Sequence, residues 1–237
     1  MGNPVKPRLA LLAIPFLLAA CGGKPDAPAP SAAVAETPVR EKEPDENVEK
    51  DPLLSEAKIA HVVVPEAFIT PATPAENVDS PASWRAPDGT RWLIATAKDT
   101  HRLVVYDGST GKQLRTVSGP GSELGQMQRP NGIAVIDDLV LVVERDNRRV
   151  QVFQLPDFKP LLVFGADALK QPYGLWVRPQ KDAYEVIVSD NYMSPQNEDL
   201  PPPLAELGQR FKRYHLQRAG DGWKAALAGT FGDTGEA

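Results

Sequence analysis

Three times along this 237-residue chain, a proline opens the same succession of short β-rich runs. "SPASW" begins at Ser80, "RPNGI" at Arg129 and "QPYGL" at Gln171. Each has Pro second, a small residue fourth (Ser83, Gly132, Gly174) and a large apolar residue fifth (Trp84, Ile133, Leu175). A second run follows each opening: "RWLIATAKD", "DLVLVVERD" and "YEVIVSDN". Then come a third ("RLVVYD", "RVQVFQL", "RFKRYHL") and a fourth ("QLRTVSG", "KPLLVFG", "KAALAGTFG"). The prolines stand 49 and then 42 residues apart. Val, Ile, Leu and aromatics fill the runs, while Gly, Pro, Asp and Asn fill the breaks, which is strand and turn chemistry. Helical periodicity is confined to "LAELGQRF", within an insertion that includes "MSPQNEDLPPP".

Four short strands repeated at this spacing mark the blades of a β-propeller, so the expected fold is all-β with three four-stranded blades. Propellers close with four to eight blades, and an open arc of three leaves sheet faces and edges uncovered. The chain therefore reads as part of a longer propeller, with closure by a second copy as the alternative. "AHVVVPEAFITP", ahead of the first unit, is a candidate strand for completing a distant blade. The innermost strand of each blade is expected to be the apolar one, packed on both faces. The turn clusters "AKDTH", "ERDNR" and "SDNYM" then occupy equivalent places and converge on one end of the central channel, where function on such scaffolds usually lives. "GPGSELG" lacks the Gly-Lys-Ser/Thr ending of a phosphate-binding loop and reads as an interblade linker. "RYHLQRAGDGW" reads as a hairpin turning on Asp-Gly.

The remaining segments set the cellular context. Residues 1–20 place Lys6 and Arg8 ahead of an apolar run too short to span a bilayer, the layout of an export signal. Leu18, Ala19, Ala20 and Cys21 resemble the lipobox of bacterial lipoproteins, which implies cleavage before Cys21 and its acylation. Each buried methylene adds about 0.8 kcal/mol of membrane affinity. Gly22 at the next position fits, by resemblance, sorting to the outer membrane, facing the periplasm or the cell surface. With one cysteine, no intrachain disulfide can form. Residues 21–58 are rich in Pro, Ala, Glu and Lys and poor in large apolar side chains, which reads as a disordered tether. Residues 59–237 make one domain's worth of chain. The net charge of −5 offers no general basic surface for nucleic acid, and a polyanionic ligand needs a local basic cluster or a bridging cation.

Two resemblances rest on specific stretches. The second unit, "GPGSELGQMQRPNGIAV" through "DNRRVQVF", resembles an NHL repeat; NHL arrays are mostly binding platforms, sometimes lyases. Across all three units the chain resembles the β-propeller phytases, six-bladed calcium-dependent enzymes that hydrolyse inositol hexakisphosphate. The likeness lies in "VDSPASW", "ATAKD", "RLVVYDGSTGK" and "PYGLW", in order, over about residues 77–232, roughly the family's N-terminal half. It implies phosphate-binding roles for Lys98, Arg145 and Tyr173, and calcium-binding carboxylates at Asp79, Glu144 and Asp190. The family's second acidic residue of the opening motif is Ser80 here. A basic residue expected in the third unit reads Asn191, so substrate preference can differ from phytate. No catalytic base is assigned.

The chemistry asks for those residue types. Phosphoryl transfer needs charge neutralisation and an aligned water more than covalent work by the protein. Calcium held by carboxylates bridges phosphate oxygens and lowers the pKa of a bound water, while Lys98 and Arg145 clamp the oxygens. The resemblance thus implies a phosphomonoesterase of the 3-phytase type acting on a phosphorylated small molecule, with little turnover by this chain alone. The alternative is an NHL-like binding platform. Structurally, Lys98, Asp99, Arg145, Asp146 and Asn147 all fall in tight turns, where such residues are common without chemistry. Tyr173 and Trp176 read equally as core or channel aromatics, and His61, His101 and His215 as surface histidines.

Overall fold

A computed structural model describes residues 64–197 and 200–234. The expected export signal, the lipidation site Cys21 and the tether of residues 21–58 lie outside the described residues. Three four-stranded antiparallel sheets follow one another in strict chain order. The first holds β1 (Val78–Arg85), β2 (Arg91–Ala97), β3 (Arg102–Asp107) and β4 (Gln113–Val117). The second holds β5 (Pro130–Ile136), β6 (Leu139–Glu144), β7 (Arg149–Gln154) and β8 (Lys159–Phe164). The third holds β9 (Pro172–Pro179), β10 (Tyr184–Asp190), β11 (Phe211–Ala219) and β12 (Gly222–Phe231). Each sheet begins at one of the Pro-led openings. This is a three-blade portion of a β-propeller.

Burial is greatest in the second sheet, because it alone lies between two others. All six residues of β6 are buried, and five of the six in β7. Alternation splits them between two cores. Val140, Val142 and Phe153 join Trp84, Ile94, Leu103 and Val105 of the first sheet. Leu139, Leu141, Val143, Val150 and Val152 join Val186, Val188, Tyr214 and Leu216 of the third. Burying each such side chain contributes about 1.5–3 kcal/mol. The expectation that each innermost strand is packed on both faces is corrected here for β1 and β9. Strands β1 and β9 alternate with solvent-facing positions, and full burial belongs to the two strands behind the axis.

The small fourth residue of the second opening, Gly132, has a steric cause. Strand β5 lies against both β1 and β9. A Cβ on Gly132 would lie 2.8 Å from the Tyr173 carbonyl oxygen and 2.9 Å from Gly174 Cα, distances that side chains do not tolerate. The opposite ends of the strands are joined by polar bonds. The β5–β6 turn accepts from both flanking sheets: Trp84 Nε1 donates to Asp138 Oδ1 at 3.0 Å, and Tyr184 Oη to Asp137 Oδ2 at 2.7 Å.

The acidic residues that close β6 and β10 tie the interblade linkers down. Glu144 is wholly buried; its carboxylate accepts from the Gln128 backbone N–H (3.1 Å), Arg149 Nε (2.9 Å), Gln151 Nε2 (3.0 Å) and the Asn147 amide. Arg149 also donates to the carbonyls of Ser122, Glu123 and Gln126, so the guanidinium threads the "GPGSELG" linker. Asp190 repeats the device: it accepts from the Lys170 and Gln171 backbone N–H groups at 3.0 and 2.7 Å and pairs with Lys212 at 3.4 Å. In the first sheet Arg102 reaches Glu76 at 2.8 Å, on the 3₁₀ turn Pro74–Glu76 that precedes β1. Burial pushes the Glu144 carboxyl above the usual carboxylate range despite the opposing pull of Arg149 and Asn147.

Three local expectations change. The β11–β12 hairpin turns on Gly220-Asp221, with Gly220 at φ 58° and Gly222 already in β12, one residue before the expected Asp-Gly. The helical signal of "LAELGQRF" yields one turn, α1 (Leu204–Leu207), before β11 begins at Phe211. In the stretch proposed as a distant strand, residues 64–71 carry no strand, and Val64 and Ile69 are exposed.

Three substitutions test this packing by urea-induced unfolding. Leu141→Ala, in the strand buried on both faces, is expected to destabilise by about 2–5 kcal/mol, against under about 0.5 kcal/mol for Leu114→Ala on the exposed strand β4. Glu144→Ala leaves the Arg149 guanidinium buried without its counter-charge and is expected to cost about 3–5 kcal/mol. A loss below about 1 kcal/mol would mean that the linker is not held this way.

Candidate functional site

Strand polarity decides where the polar turns go. The β2–β3 turn, the β6–β7 turn, the β10–β11 connection and the first residues of β1, β5 and β9 all lie at the same end of their sheets. At that rim Lys98, from the first sheet, extends over the ring of Tyr173, from the third, with Nζ 5.6 Å from the centroid. Asp79, at the start of β1, pairs with Lys98 Nζ at 3.0 Å and also accepts from Ser80 Oγ. A lysine ammonium carries three protons, so one contact with Asp79 leaves donors for an anion. Lys98, Asp79 and Tyr173 are thus brought together.

Arg145 is not part of that group. Its Nε turns to Asp146 Oδ1 at 2.8 Å, and it borders a separate cleft with Arg148, Lys170, Gln171 and Tyr192. Tyr192 there is stacked on by cations: Lys170 Nζ lies 4.1 Å and the Arg210 guanidinium 5.2 Å from its ring centroid. Those cations are largely answered already, Lys170 by Glu206 and Arg145 by Asp146.

The three carboxylates expected to hold calcium are placed apart from one another. Asp79 answers Lys98, Glu144 is saturated by protein donors, and Asp190, 1% exposed, serves the third linker and Lys212. Among the described residues, no three of His, Cys, Asp and Glu converge closely enough to hold a metal ion. These side chains, taken alone, do not fit a calcium site.

Other residues at the rim escaped the sequence reading. His101, expected as a surface histidine, accepts the Arg129 backbone N–H on Nδ1 at 2.9 Å and so links the first turn to the second blade. Asn131, 1% exposed in β5, has neither side-chain polar atom partnered, a placement that costs a buried amide several kcal/mol in order of magnitude. Next to Tyr173 opens a cavity of about 780 Å³. It is walled by Tyr173, Pro201, Leu204, Leu207 and Phe211, with Ser189, Asp190, Asn191, Arg210 and Asp233 at its polar side. The inserted segment between β10 and β11 builds half of this wall. One signal for Arg210 was present: it opens the third run of its unit as Arg102 and Arg149 open theirs. No comparable pattern marks Leu204 or Leu207, which belong to a segment with no counterpart in the other units.

No protein-family model matches the chain, and no curated protein is similar to it at a significant level. Among solved structures, the chain resembles Kuenenia stuttgartiensis hydrazine synthase at 11% identity and a TM-score of 0.37, over 72% of this chain and 52% of that one. It also resembles a hypothetical selenium-binding protein from Sulfolobus tokodaii at 9% identity and a TM-score of 0.38, over 70% of this chain and 53% of that one. The chain spans about half the length of both structures.

Proposed function

We propose that the rim end of the axis binds a phosphorylated small molecule, as part of a phosphomonoesterase of the phytase type tethered to the bacterial outer membrane through Cys21. The observation that carries this reading is Lys98, from the first blade, suspended over Tyr173, from the third, with Asp79 holding the ammonium in place. Two blades thereby contribute to one point, and a cation there is held by a single exposed carboxylate that an incoming phosphate can displace or share. Lys98 supplies charge to a phosphoryl oxygen, and Tyr173 fixes the ammonium from below through its ring face. The unpartnered amide of Asn131, on the strand that abuts Tyr173, adds an unfilled donor and acceptor near the axis. Calcium belongs to the proposal through the resemblance alone, and no step is routed through it, because Asp79, Glu144 and Asp190 sit apart.

A second reading has its own observation. Glu144, Asp190, Arg149 and Lys212 are all consumed in bracing linkers, as in a scaffold whose rim charges serve architecture. On that reading the propeller is an NHL-like binding platform without turnover.

Two assays separate these. Inorganic phosphate binding, followed by calorimetry, is expected to weaken about 10–100-fold in Lys98→Ala, the loss of one charge-assisted contact, with the urea midpoint of unfolding changed little. Equal affinity in both proteins would remove Lys98 from the site. Phosphate release from a phosphomonoester, measured with calcium and again with chelator, is expected to be slow. No release under either condition, with phosphate binding intact, favours the platform.

A further inference from the structure

The cavity beside Tyr173 specifies more than a phosphate. Its far wall is Pro201, Leu204, Leu207 and Phe211, and its near wall is the Tyr173 ring. Leu204 is 53% exposed, Tyr173 45% and Phe211 39%, so three large apolar side chains face open space within one hollow. Scattered exposed hydrophobics need no explanation, but several converging on a concave surface mark a binding groove. A volume of about 780 Å³ is that of a pocket for a small organic ligand.

Charge narrows the ligand further. The cations of this rim are mostly answered: Lys98 by Asp79, Arg129 by Asp99, Arg145 by Asp146, Lys170 by Glu206 and Lys212 by Asp190. A ligand carrying many phosphates would need many uncompensated cations, and the described rim does not offer them. A single phosphoryl group needs one or two. Arg210, at the polar side of the cavity with Asp190 and Asp233, donates to the neutral Asn191 Oδ1 at 3.2 Å and lies against Tyr192.

We propose that the ligand is a phosphomonoester with an apolar or aromatic body, its phosphoryl group at the Lys98–Tyr173 end and its body against Leu204, Leu207 and Phe211. This rests on the phosphate-binding reading above and replaces a polyphosphorylated polyol with a single phosphoryl head on a greasy frame. The inserted segment between β10 and β11, absent from the other two blades, is then the specificity element. It puts α1 opposite Phe211 where a bare blade would leave the rim open to water. A second copy of the chain, or a further sheet covering the open face of the third blade, is the competing occupant of the same apolar wall.

The test uses the full chain and four probes in calorimetry: inorganic phosphate, 1-naphthyl phosphate, 1-naphthol and inositol hexakisphosphate. Naphthyl phosphate is expected to bind at least about tenfold more tightly than inorganic phosphate or the hexakisphosphate, with naphthol weaker than naphthyl phosphate. Leu204→Asp, at a half-exposed position, is expected to abolish that tenfold advantage, its new carboxylate also weakening inorganic phosphate binding. Leu204→Ala, which adds no charge, should remove part of the advantage and lower naphthyl phosphate affinity more than that of inorganic phosphate. Circular dichroism and the unfolding midpoint check that both variants are folded. Equal affinities for naphthyl phosphate and phosphate, or tightest binding of the hexakisphosphate, would overturn the inference while phosphate binding stands. A Leu204→Asp protein that changes its sedimentation-derived oligomeric state with no change in naphthyl phosphate affinity would assign the wall to a second copy and overturn it as well. Failure of every phosphate-bearing probe to bind would instead sink the phosphate reading, and this inference with it.

Discussion

A sheet with no wet face organises this molecule. Strand β6 runs Leu139, Val140, Leu141, Val142, Val143 and Glu144 with every residue buried, odd and even positions feeding different cores. Once the second blade is enclosed by the first and third, polar groups can only be accommodated at its two ends. One end is closed by the Asp137-Asp138 turn, which accepts from Trp84 and Tyr184 on either side. The other end collects the charged turns, so the rim is a consequence of burial before it is a site.

Burial also explains why the rim's charges are so fully engaged. A carboxylate as deep as Glu144 is tolerable only with donors on every side, and it has four, of which Arg149 extends its grip to three linker carbonyls. Asp190, with Lys212 and two linker N–H groups, solves the same problem for the third blade. The Arg/Asp/Asn cluster after β6 is therefore mainly masonry: it fastens the long lead-in of its own blade. What stays available for chemistry is Lys98 over Tyr173, whose ammonium is held by one exposed carboxylate.

The division between what could and could not be read from residues follows from range. The Pro-led openings, strand runs and breaks are local, and all twelve strands lie where the alternation of apolar and turn-forming residues puts them. The small residue at the fourth place was visible as a pattern, but its reason, the contact of Gly132 with the backbone at Tyr173 and Gly174, is tertiary. The burial ranking of the strands could not be read, because it depends on how many neighbours each sheet has. For the same reason turn position alone grouped Lys98 with Arg145, although one points across the axis and the other toward Asp146. Acidic residues in those turns invite a metal reading; only the donors around Glu144 and Asp190 reveal their other employment.

All of this depends on β5 and β9 lying against each other at a common axis, and Gly132→Ala examines that contact by the sign of its effect on unfolding free energy. In a strand with room for a methyl group, the change would stabilise by about 0.5–1 kcal/mol through the lost flexibility of glycine. Against a backbone only 2.8 Å away it must instead destabilise, by about 1–3 kcal/mol or more. Destabilisation in urea is the predicted result. A Gly132→Ala protein as stable as the parent, or more so, would mean that the blades do not meet there and that Lys98 and Tyr173 have no shared axis to meet across.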